Sequence, residues 1–249
     1  MPLNASTGEY GDAVADHYDN FYRHREDQFC IADYCKKHMP GAKTVLEFGV
    51  GQGRLAIPLA KAGFSVTGID SSQRMLDRLA KATVGLDVTG VRGDFTTPIE
   101  LGTFDIVIIG NSTLFMVVTQ EGQMATLQQA AEYLSPDGRL IIDTYDPFTR
   151  MAGPRIQSLA FPCGEDAVMI YTVRCEPSEQ RLYYLHQIIG PSGIQAVPEL
   201  SRWSWPSELD LMAKQSGLML HNRDADMKGT PWTGETENIV SVYTRSLDY

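Results

Sequence analysis

The stretch Val45-Leu46-Glu47-Phe48-Gly49-Val50-Gly51-Gln52-Gly53-Arg54 decides the fold of this chain. Residues 45–48 are typical of a buried strand, and the three alternate glycines are typical of a turn with unusual backbone angles. A helix is expected from Arg54 onward. Such a junction points backbone N–H groups and the positive end of a helix dipole outward, so we expect a nucleotide-like ligand at this loop.

The spacing of the glycines distinguishes two kinds of ligand. A dinucleotide-binding fingerprint, Gly-x-Gly-x-x-Gly, would place its third glycine where the chain has Arg54. A nicotinamide-dependent oxidoreductase is therefore a distant alternative. The pattern acidic-x-Gly-x-Gly-x-Gly, from Glu47 through Gly49 and Gly51 to Gly53, instead resembles the first motif of the class I S-adenosylmethionine (SAM) dependent methyltransferases.

Polar residues follow the next two predicted strands. A strand over residues 65–70 ends in Asp70, and the following Ser71-Ser72 is a good N-cap for a helix over residues 73–82. A carboxylate at a strand tip beside a glycine loop can accept both hydroxyl groups of a ribose. A third strand, over residues 88–95, ends in Gly93-Asp94-Phe95, where Asp94 is also compatible with an ordinary turn.

The order of elements predicts a doubly wound α/β fold. A continuous apolar strand precedes Asn111, and a fifth strand over residues 139–145 ends at Tyr145. Because ligands of such folds sit outside the carboxyl ends of the strands, we expect these ends to line one crevice. After Pro147 the pattern changes to three alternating segments, residues 167–175, 180–189 and 195–203, which predict an inserted antiparallel lid.

We expect a single methyltransferase domain over residues 1–249, with an N-terminal helical cap over 1–40 and an antiparallel β insert over 160–204. The net charge of −10 argues against a nucleic-acid partner, which would require a basic face. No apolar run is long enough to span a membrane, and the four cysteines show no metal-binding spacing. We expect a cytoplasmic protein without a metal site, and the sequence is compatible with a homodimer.

The resemblance to class I methyltransferases implies roles for most of these residues. It implies a Rossmann-like seven-stranded sheet whose last strand runs antiparallel. Glu47 would orient the methionine moiety of SAM and the glycines would wrap it. The remaining cofactor-binding assignments are Asp70 for the ribose, Asp94 and Phe95 for the adenine, Asn111 near the sulfonium, and Ser71, which is assigned to the cofactor without a particular group. The element Tyr18-Asp19-Asn20-Phe21-Tyr22 is similar to the helix that caps the cofactor in small-molecule members, so Tyr22 is also assigned to the cofactor.

The antiparallel insert resembles the small-molecule branch that includes amino-sugar N-methyltransferases of antibiotic pathways. The resemblance implies methyl transfer from SAM to nitrogen or oxygen of a small-molecule acceptor in secondary metabolism. Transfer chiefly requires alignment of the acceptor and exclusion of water. Tyr18, Tyr22 and Tyr145 are catalytic candidates for orienting or deprotonating the acceptor, whereas His186 better fits a structural or surface role. The alternative function is a SAM-binding module without catalysis.

Overall fold

The computed structural model describes residues 8–22, 25–234 and 236–246, with Arg150 described by its backbone alone. Residues 1–7 and 23–24 of the predicted cap lie outside the described residues. In these ranges the helices are α1 Glu9–Val14, α2 Tyr18–Tyr22, α3 Asp27–His38, α4 Ala56–Lys61, α5 Gln73–Ala82, α6 Gln120–Glu132, α7 Pro147–Met151 and α8 Pro206–Gln215. The strands are β1 Thr44–Phe48, β2 Ser65–Asp70, β3 Val88–Arg92, β4 Phe104–Ile109, β5 Leu134–Tyr145, β6 Ile156–Pro162, β7 Val168–Glu176, β8 Arg181–Gly190, β9 Gly193–Arg202, β10 Leu218–Asp224 and β11 Asn238–Arg245.

The larger sheet has seven strands in the order β10-β11-β5-β4-β1-β2-β3. Strands β1 to β5 pair in parallel, and the last strand, β11, runs antiparallel between β5 and β10. Phe48 lies opposite Ile69 on one side and Ile109 on the other, so three carboxyl ends meet at one edge. The predicted fold class is confirmed, including the antiparallel last strand.

Helices cover both faces of this sheet. One face packs Val45, Ile106 and Ile108 against residues of α3, α4 and α5. The other face packs Phe48 and Ile142 against α6 and α8. Strands buried on both faces explain the continuous apolar runs that predicted them.

The insert is a four-stranded antiparallel sheet in the order β6-β7-β8-β9, one strand more than predicted. The missed strand, Ile156–Pro162, is an edge strand whose residues are mostly exposed, so its sequence lacks a clear alternation. The insert is also not a detachable appendage. Leu182 and Trp203 are fully buried in the same apolar cluster as the seven-stranded sheet.

The structure differs from three predicted element boundaries. Strand β3 ends at Arg92 instead of residue 95, because the chain turns where Asp94 accepts hydrogen bonds from Thr96. Helix α4 begins at Ala56, two residues later than expected from Arg54. Strand β5 begins at Leu134 instead of residue 139, since its first residue already pairs with β4.

The described part of the chain contains no helix long and apolar enough to cross a membrane. All four cysteines are free thiols, and three of them are buried. Helices α1 and α2 pack on the inner face of the four-stranded sheet through a small apolar cluster of their own. The N-terminal segment therefore closes the edge at which the parallel strands end.

Candidate active site

The glycine loop uses its N–H groups inside the protein instead of presenting them to a ligand. Gly49 and Val50 both donate to the carbonyl of Ile69, and Gly53 donates to the carbonyl of Val50. The N–H of Gly51 donates to the Asp70 carboxylate at 2.8 Å. The expectation that these groups point outward is thus wrong. The loop permits close approach at Gly51, which carries no side chain.

Gly51 shows this most directly. Its φ of +55° lies in the left-handed region, and an added Cβ would meet only the Tyr18 ring and hydroxyl, at 3.9 Å. The loop surface at Gly51 therefore faces open space under the Tyr18 ring. Gly53 differs, because its added Cβ would collide with Leu79 and Ile57. The third glycine thus allows close packing of the loop against the helices.

Asp70 holds the first two strand ends together. Its Oδ2 accepts from Gly51, and its Oδ1 accepts from the N–H of Ser72 at 2.8 Å. Burial raises the pKa of this carboxyl, while the hydrogen bonds from Ser72 and Gly51 oppose the rise. A third backbone hydrogen bond, from Ser71, also reaches this carboxyl, so the carboxylate keeps limited capacity to accept a further hydrogen bond from a ligand.

These elements surround a cavity of about 830 Å³, including its open mouth, which we call the glycine crevice. Its lining includes nine of the predicted site residues: Tyr18, Tyr22, Gly49, Gly51, Asp70, Ser71, Phe95, Asn111 and Tyr145. Three predicted residues, Glu47, Gly53 and Asp94, are not in this lining. Most of the residues that were assigned from the strand ends and the N-terminal helix therefore lie around one cavity.

Glu47 is buried behind the crevice. Its carboxyl accepts a hydrogen bond from the N–H of Ala56, the first residue of α4, and its Oε2 has no hydrogen-bond partner in the described chain. Burial raises the pKa of this group to about 8, and the positive charge of Arg54 opposes the rise. The position is one where a carboxyl interacts favourably with a helix N-terminus. The predicted contact with the methionine moiety stays a prediction.

Asp94 has a local structural role. Its Oδ1 accepts from the N–H of Thr96 at 2.9 Å and from its hydroxyl at 2.8 Å. The neighbouring Phe95 lies in the crevice wall, where it stacks on Phe48 with ring centroids 5.3 Å apart. Phe95 is therefore placed to contact a flat ring, and the adenine role of Asp94 stays a prediction.

Tyr18 and Tyr22 cap the crevice as a pair, with ring centroids 4.6 Å apart. Burial raises the pKa of both hydroxyls, and Arg54 opposes the rise at each. Both therefore stay protonated at neutral pH. They can donate hydrogen bonds to an acceptor or orient it, but they are poorly suited to deprotonate it.

An ionic cluster fastens the N-terminal segment to the strand ends. Arg25 donates to Asp27 at 2.7 Å and to Asp143 at 2.6 Å, and Arg54 pairs with the other oxygen of Asp27. Asp143 also accepts from the N–H of Asn111 at 3.0 Å. Arg54, at the position where a dinucleotide fold would need glycine, thus links the loop to α3. The two arginines and two aspartates balance in charge.

A second cavity adjoins the first, and we call it the aromatic chamber. It encloses about 1000 Å³, including its mouth, and its distinctive lining residues are Phe21, Tyr22, Phe161, Tyr171, Tyr184 and His186. Five residues line both cavities: Tyr22, Asn111, Ser112, Tyr145 and Glu199. The two spaces therefore meet, and the four-stranded sheet forms much of the wall of the second.

His186 lies inside this chamber, so a surface position is wrong. The residue is 7% exposed, and its Nε2 lies 3.0 Å from Oε2 of Glu199. Tyr145, at the end of β5, places its hydroxyl 3.3 Å from the hydroxyl of Ser201. Sequence reasoning missed Tyr10, Glu199 and Ser201 in the cavity walls. The two residues of β9 share the inward parity of that strand, which is the signal that could have found them.

The residues present fit SAM. Asp70 offers a carboxylate beside a loop that carries no side chain at Gly51, and Phe95 offers a ring face. SAM, when bound there, supplies an electrophilic methyl group. The chain's own residues would hold the nucleoside, exclude water beneath Tyr18 and Tyr22, and leave the aromatic chamber for a second molecule. The fold and these cavities define the class I methyltransferase type.

Known proteins resemble this chain in sequence and in fold. A family model described as a methyltransferase domain matches residues 45–138. Cypemycin N-terminal methyltransferase from Streptomyces sp. is 31% identical over 218 residues, covering 86% of this chain and 89% of that protein. The CcbJ methyltransferase from Streptomyces caelestis has 30% identity and a TM-score of 0.89, covering 98% of this chain and 100% of that chain.

A more distant structure shares the fold. SAM-bound CalS10, an amino pentose methyltransferase from Micromonospora echinaspora involved in calicheamicin biosynthesis, has a TM-score of 0.72 at 20% identity, covering 92% of this chain and 96% of that chain. This chain belongs to the SAM-dependent methyltransferases. The predicted resemblance to class I methyltransferases, the methyltransferase activity and the cofactor SAM are confirmed. Nothing supports the alternative of a non-catalytic SAM-binding module.

Proposed function

We propose that this enzyme transfers the methyl group of SAM to a nitrogen atom of a small molecule bound in the aromatic chamber. The observation that carries the proposal is the shared wall of the two cavities. Because Tyr22, Asn111 and Tyr145 line both, a molecule in the chamber meets the methyl donor where the cavities join. Transfer then needs alignment and a dry environment more than a strong base.

The chemistry of the walls favours nitrogen. Aromatic faces and a carboxylate, that of Glu199, are the groups that bind an amine in its cationic form. Tyr22 stays protonated, which makes it a poor base for a hydroxyl acceptor. The name of Cypemycin N-terminal methyltransferase also places its methyl group at an N-terminus, which is an amine. A role in secondary metabolism, a cytoplasmic location and a lack of nucleic-acid partners extend the proposal on the basis of the sequence.

A methyl-transfer screen tests the proposal. Purified protein is incubated with labelled SAM and separate sets of small amines, amino sugars, hydroxyl compounds, RNA, and peptides with free or acetylated N-termini. We expect transfer to amines and a mass increase located on nitrogen. Transfer to hydroxyl compounds alone would contradict nitrogen as the acceptor atom, and transfer to RNA alone would contradict the small-molecule class.

A further inference from the structure

Glu199 occupies the place where the two cavities join. It lines both of them, and its side chain is 15% exposed. On strand β9 it lies opposite Tyr184 of β8, so both side chains project from the same face of the four-stranded sheet. That face also carries His186 two residues along β8. A carboxylate is thus held at the junction by a paired strand, not by a loop.

The charge of Glu199 is not balanced by a fixed cation. Among the described residues its hydrogen-bond partners include His186, a ring that carries a positive charge only when protonated. Arg25 also lines the chamber, but it already pairs with Asp27 and Asp143. The chamber therefore presents a carboxylate whose charge remains available to a cationic ligand. Within a partly dehydrated cavity such a charge attracts a cation more strongly than it would at the surface.

His186 is held in a fixed orientation. Its ring stacks with Phe21 at 5.6 Å and with Tyr184 at 6.1 Å between centroids, and Tyr171 lies 5.5 Å away. The buried Nδ1 has no hydrogen-bond partner in the described chain. A neutral ring therefore best carries its proton on Nε2, directed at Glu199, because a buried N–H at Nδ1 would remain unpaired.

The other polar groups at the junction are weaker proton acceptors. Burial is the main cause that raises the pKa of Tyr10 and of Tyr22, and the negative charge of Glu199 is the second. Both hydroxyls stay protonated at neutral pH. The side chains of Asn111, Ser112 and Tyr145 are also uncharged. The remaining titratable groups that face the pair are Tyr171 and Tyr184 on the sheet and the ion-paired Arg25 on the N-terminal segment.

We propose that Glu199 binds the protonated nitrogen of the acceptor and takes up its proton, and that His186 positions this carboxylate. The substrate class is an amine that is cationic in solution and attached to an apolar or ring-containing body that fits the aromatic chamber. One N–H bond of the ammonium breaks, its electron pair stays on nitrogen, and the proton goes to Glu199. That pair then forms the N–CH₃ bond, while the S–CH₃ bond breaks with its electrons kept by sulfur. The inference rests on the proposed function and makes it more specific.

Cation binding can be measured without methyl transfer. The probes are benzyltrimethylammonium, which carries a permanent charge and cannot be methylated on nitrogen, and benzyl alcohol, its neutral counterpart. Each is titrated by NMR into protein saturated with S-adenosylhomocysteine. We expect the cation to bind the unmodified protein more tightly than the alcohol, and Glu199→Gln to weaken only the cation, by about 10-fold, because the quaternary nitrogen has no N–H and senses only the charge of the carboxylate. Equal binding of the two probes, or no binding of either, would overturn the proposal.

Matched variants separate the site from general loss of charge. Glu179→Gln makes the same change at a residue of the insert whose side chain is 52% exposed, and it should change neither probe's affinity. Calorimetry with S-adenosylhomocysteine checks that Glu199→Gln still folds and binds the cofactor product. A Glu199→Gln protein that binds this product normally and also binds the cation normally would refute the assignment.

His186 needs a separate test because it acts through Glu199. His186→Leu should raise the KM for an amine acceptor by about 3- to 10-fold, the scale of the net contribution of one typical hydrogen bond, and leave kcat within about twofold. His186→Gln, which keeps an N–H donor, should restore part of the loss. A fall in kcat with unchanged KM in both variants would contradict a positioning role. If the acceptor screen finds no amine substrate while the cation still requires Glu199, the proposed reaction fails and the binding site stands.

Discussion

The glycine crevice and the aromatic chamber are built in different ways. The crevice is formed by the carboxyl ends of parallel strands and by backbone, with Asp70 tying Gly51 to Ser72. The chamber is formed by side chains from a sheet of four antiparallel strands and from α2. Backbone geometry fixes the first, so its shape tolerates few changes. Side chains on one face of a sheet fix the second, so its specificity can change without a change of fold.

The two cavities also differ in how their carboxylates are stabilised. Asp70 accepts hydrogen bonds from the backbone N–H groups of Gly51, Ser71 and Ser72, which lie at the ends of the parallel strands. Glu199 is paired with one side chain, His186, from the neighbouring strand. Backbone donors cannot be replaced by substitution, whereas the partner of Glu199 can. Substitutions around the glycine crevice should therefore affect stability and cofactor affinity. Substitutions in the aromatic chamber should affect acceptor binding.

The largest effect is expected at Glu47, which is buried behind the glycine crevice. Its pKa is about 8 in the folded protein against 4.5 for the unperturbed group, so between these values the folded state binds more protons than the unfolded state. The free energy of unfolding should fall as pH rises, by about 1.4 kcal/mol per pH unit within that window. Glu47→Gln cannot ionise, so its stability relative to the unmodified protein should increase by about 3 kcal/mol between pH 5 and pH 8.

Urea unfolding at four pH values measures this difference. Glu132→Gln, at an exposed position of α6, controls for the loss of one negative charge. If the Glu47→Gln and unmodified curves stay parallel from pH 5 to pH 8, the buried carboxyl is not a source of pH dependence. In that case Glu47 would give no support to the view that the glycine crevice is more constrained than the aromatic chamber.

The next effect concerns cofactor affinity. Asp70→Ala removes the acceptor that joins Gly51 to Ser72 and that we assign to the ribose. We expect affinity for S-adenosylhomocysteine to fall by about 1.5 to 3 kcal/mol, the scale of hydrogen bonds to a charged group. Asp94→Ala is the matched control, because this carboxylate follows the next strand but caps its own turn. Calorimetry decides between them, and an equal loss in both variants would mean that Asp94 also holds the cofactor.

Sequence reasoning reached the crevice and largely missed the chamber, for a physical reason. Strand, glycine loop and acidic strand end are local patterns whose spacing places Gly51, Asp70 and Asn111 together in any doubly wound sheet. The chamber depends on which residues of an antiparallel sheet face inward. That parity is set by pairing between distant strands, such as Tyr184 with Glu199. Edge strand β6 was missed because its exposed residues carry little periodic signal.

The same reasoning explains the errors within the loop. The sequence predicted outward N–H groups from the glycine spacing, but hydrogen-bond partners such as the Ile69 carbonyl come from the adjacent strand. Likewise nothing local marks Arg54 as the partner of Asp27, since the two lie 27 residues apart. Patterns within ten residues predict elements and their order. Contacts between elements require the register of the sheet and the packing of the helices.

The smallest effect is expected at Tyr145, which lines both cavities and thus gives the sharpest test of their separation. Its hydroxyl lies 3.3 Å from that of Ser201, so it connects the end of β5 to β9. Tyr145→Phe keeps the ring, which packs edge-on against Phe115 at 4.9 Å, and removes the hydroxyl that makes this contact. We expect a loss of about 0.5 to 1 kcal/mol, because the hydrogen bond is long and joins neutral groups. The loss should appear as a two- to fivefold rise in acceptor KM, by the usual conversion of about 1.4 kcal/mol per tenfold.

Affinity for S-adenosylhomocysteine should not change in Tyr145→Phe, and kcat should stay within about twofold of the unmodified enzyme, since Tyr145 would then position the insert and not exchange a proton. Ser201→Ala removes the same contact from the other side, so the double variant should be no worse than either single one. Additive losses would mean that the two hydroxyls act separately. A large fall in kcat for Tyr145→Phe alone would instead give Tyr145 a catalytic role. A loss of S-adenosylhomocysteine affinity would mean that the Tyr145 hydroxyl contacts the cofactor, because a hydroxyl that only joins β5 to β9 has no contact with the cofactor to lose.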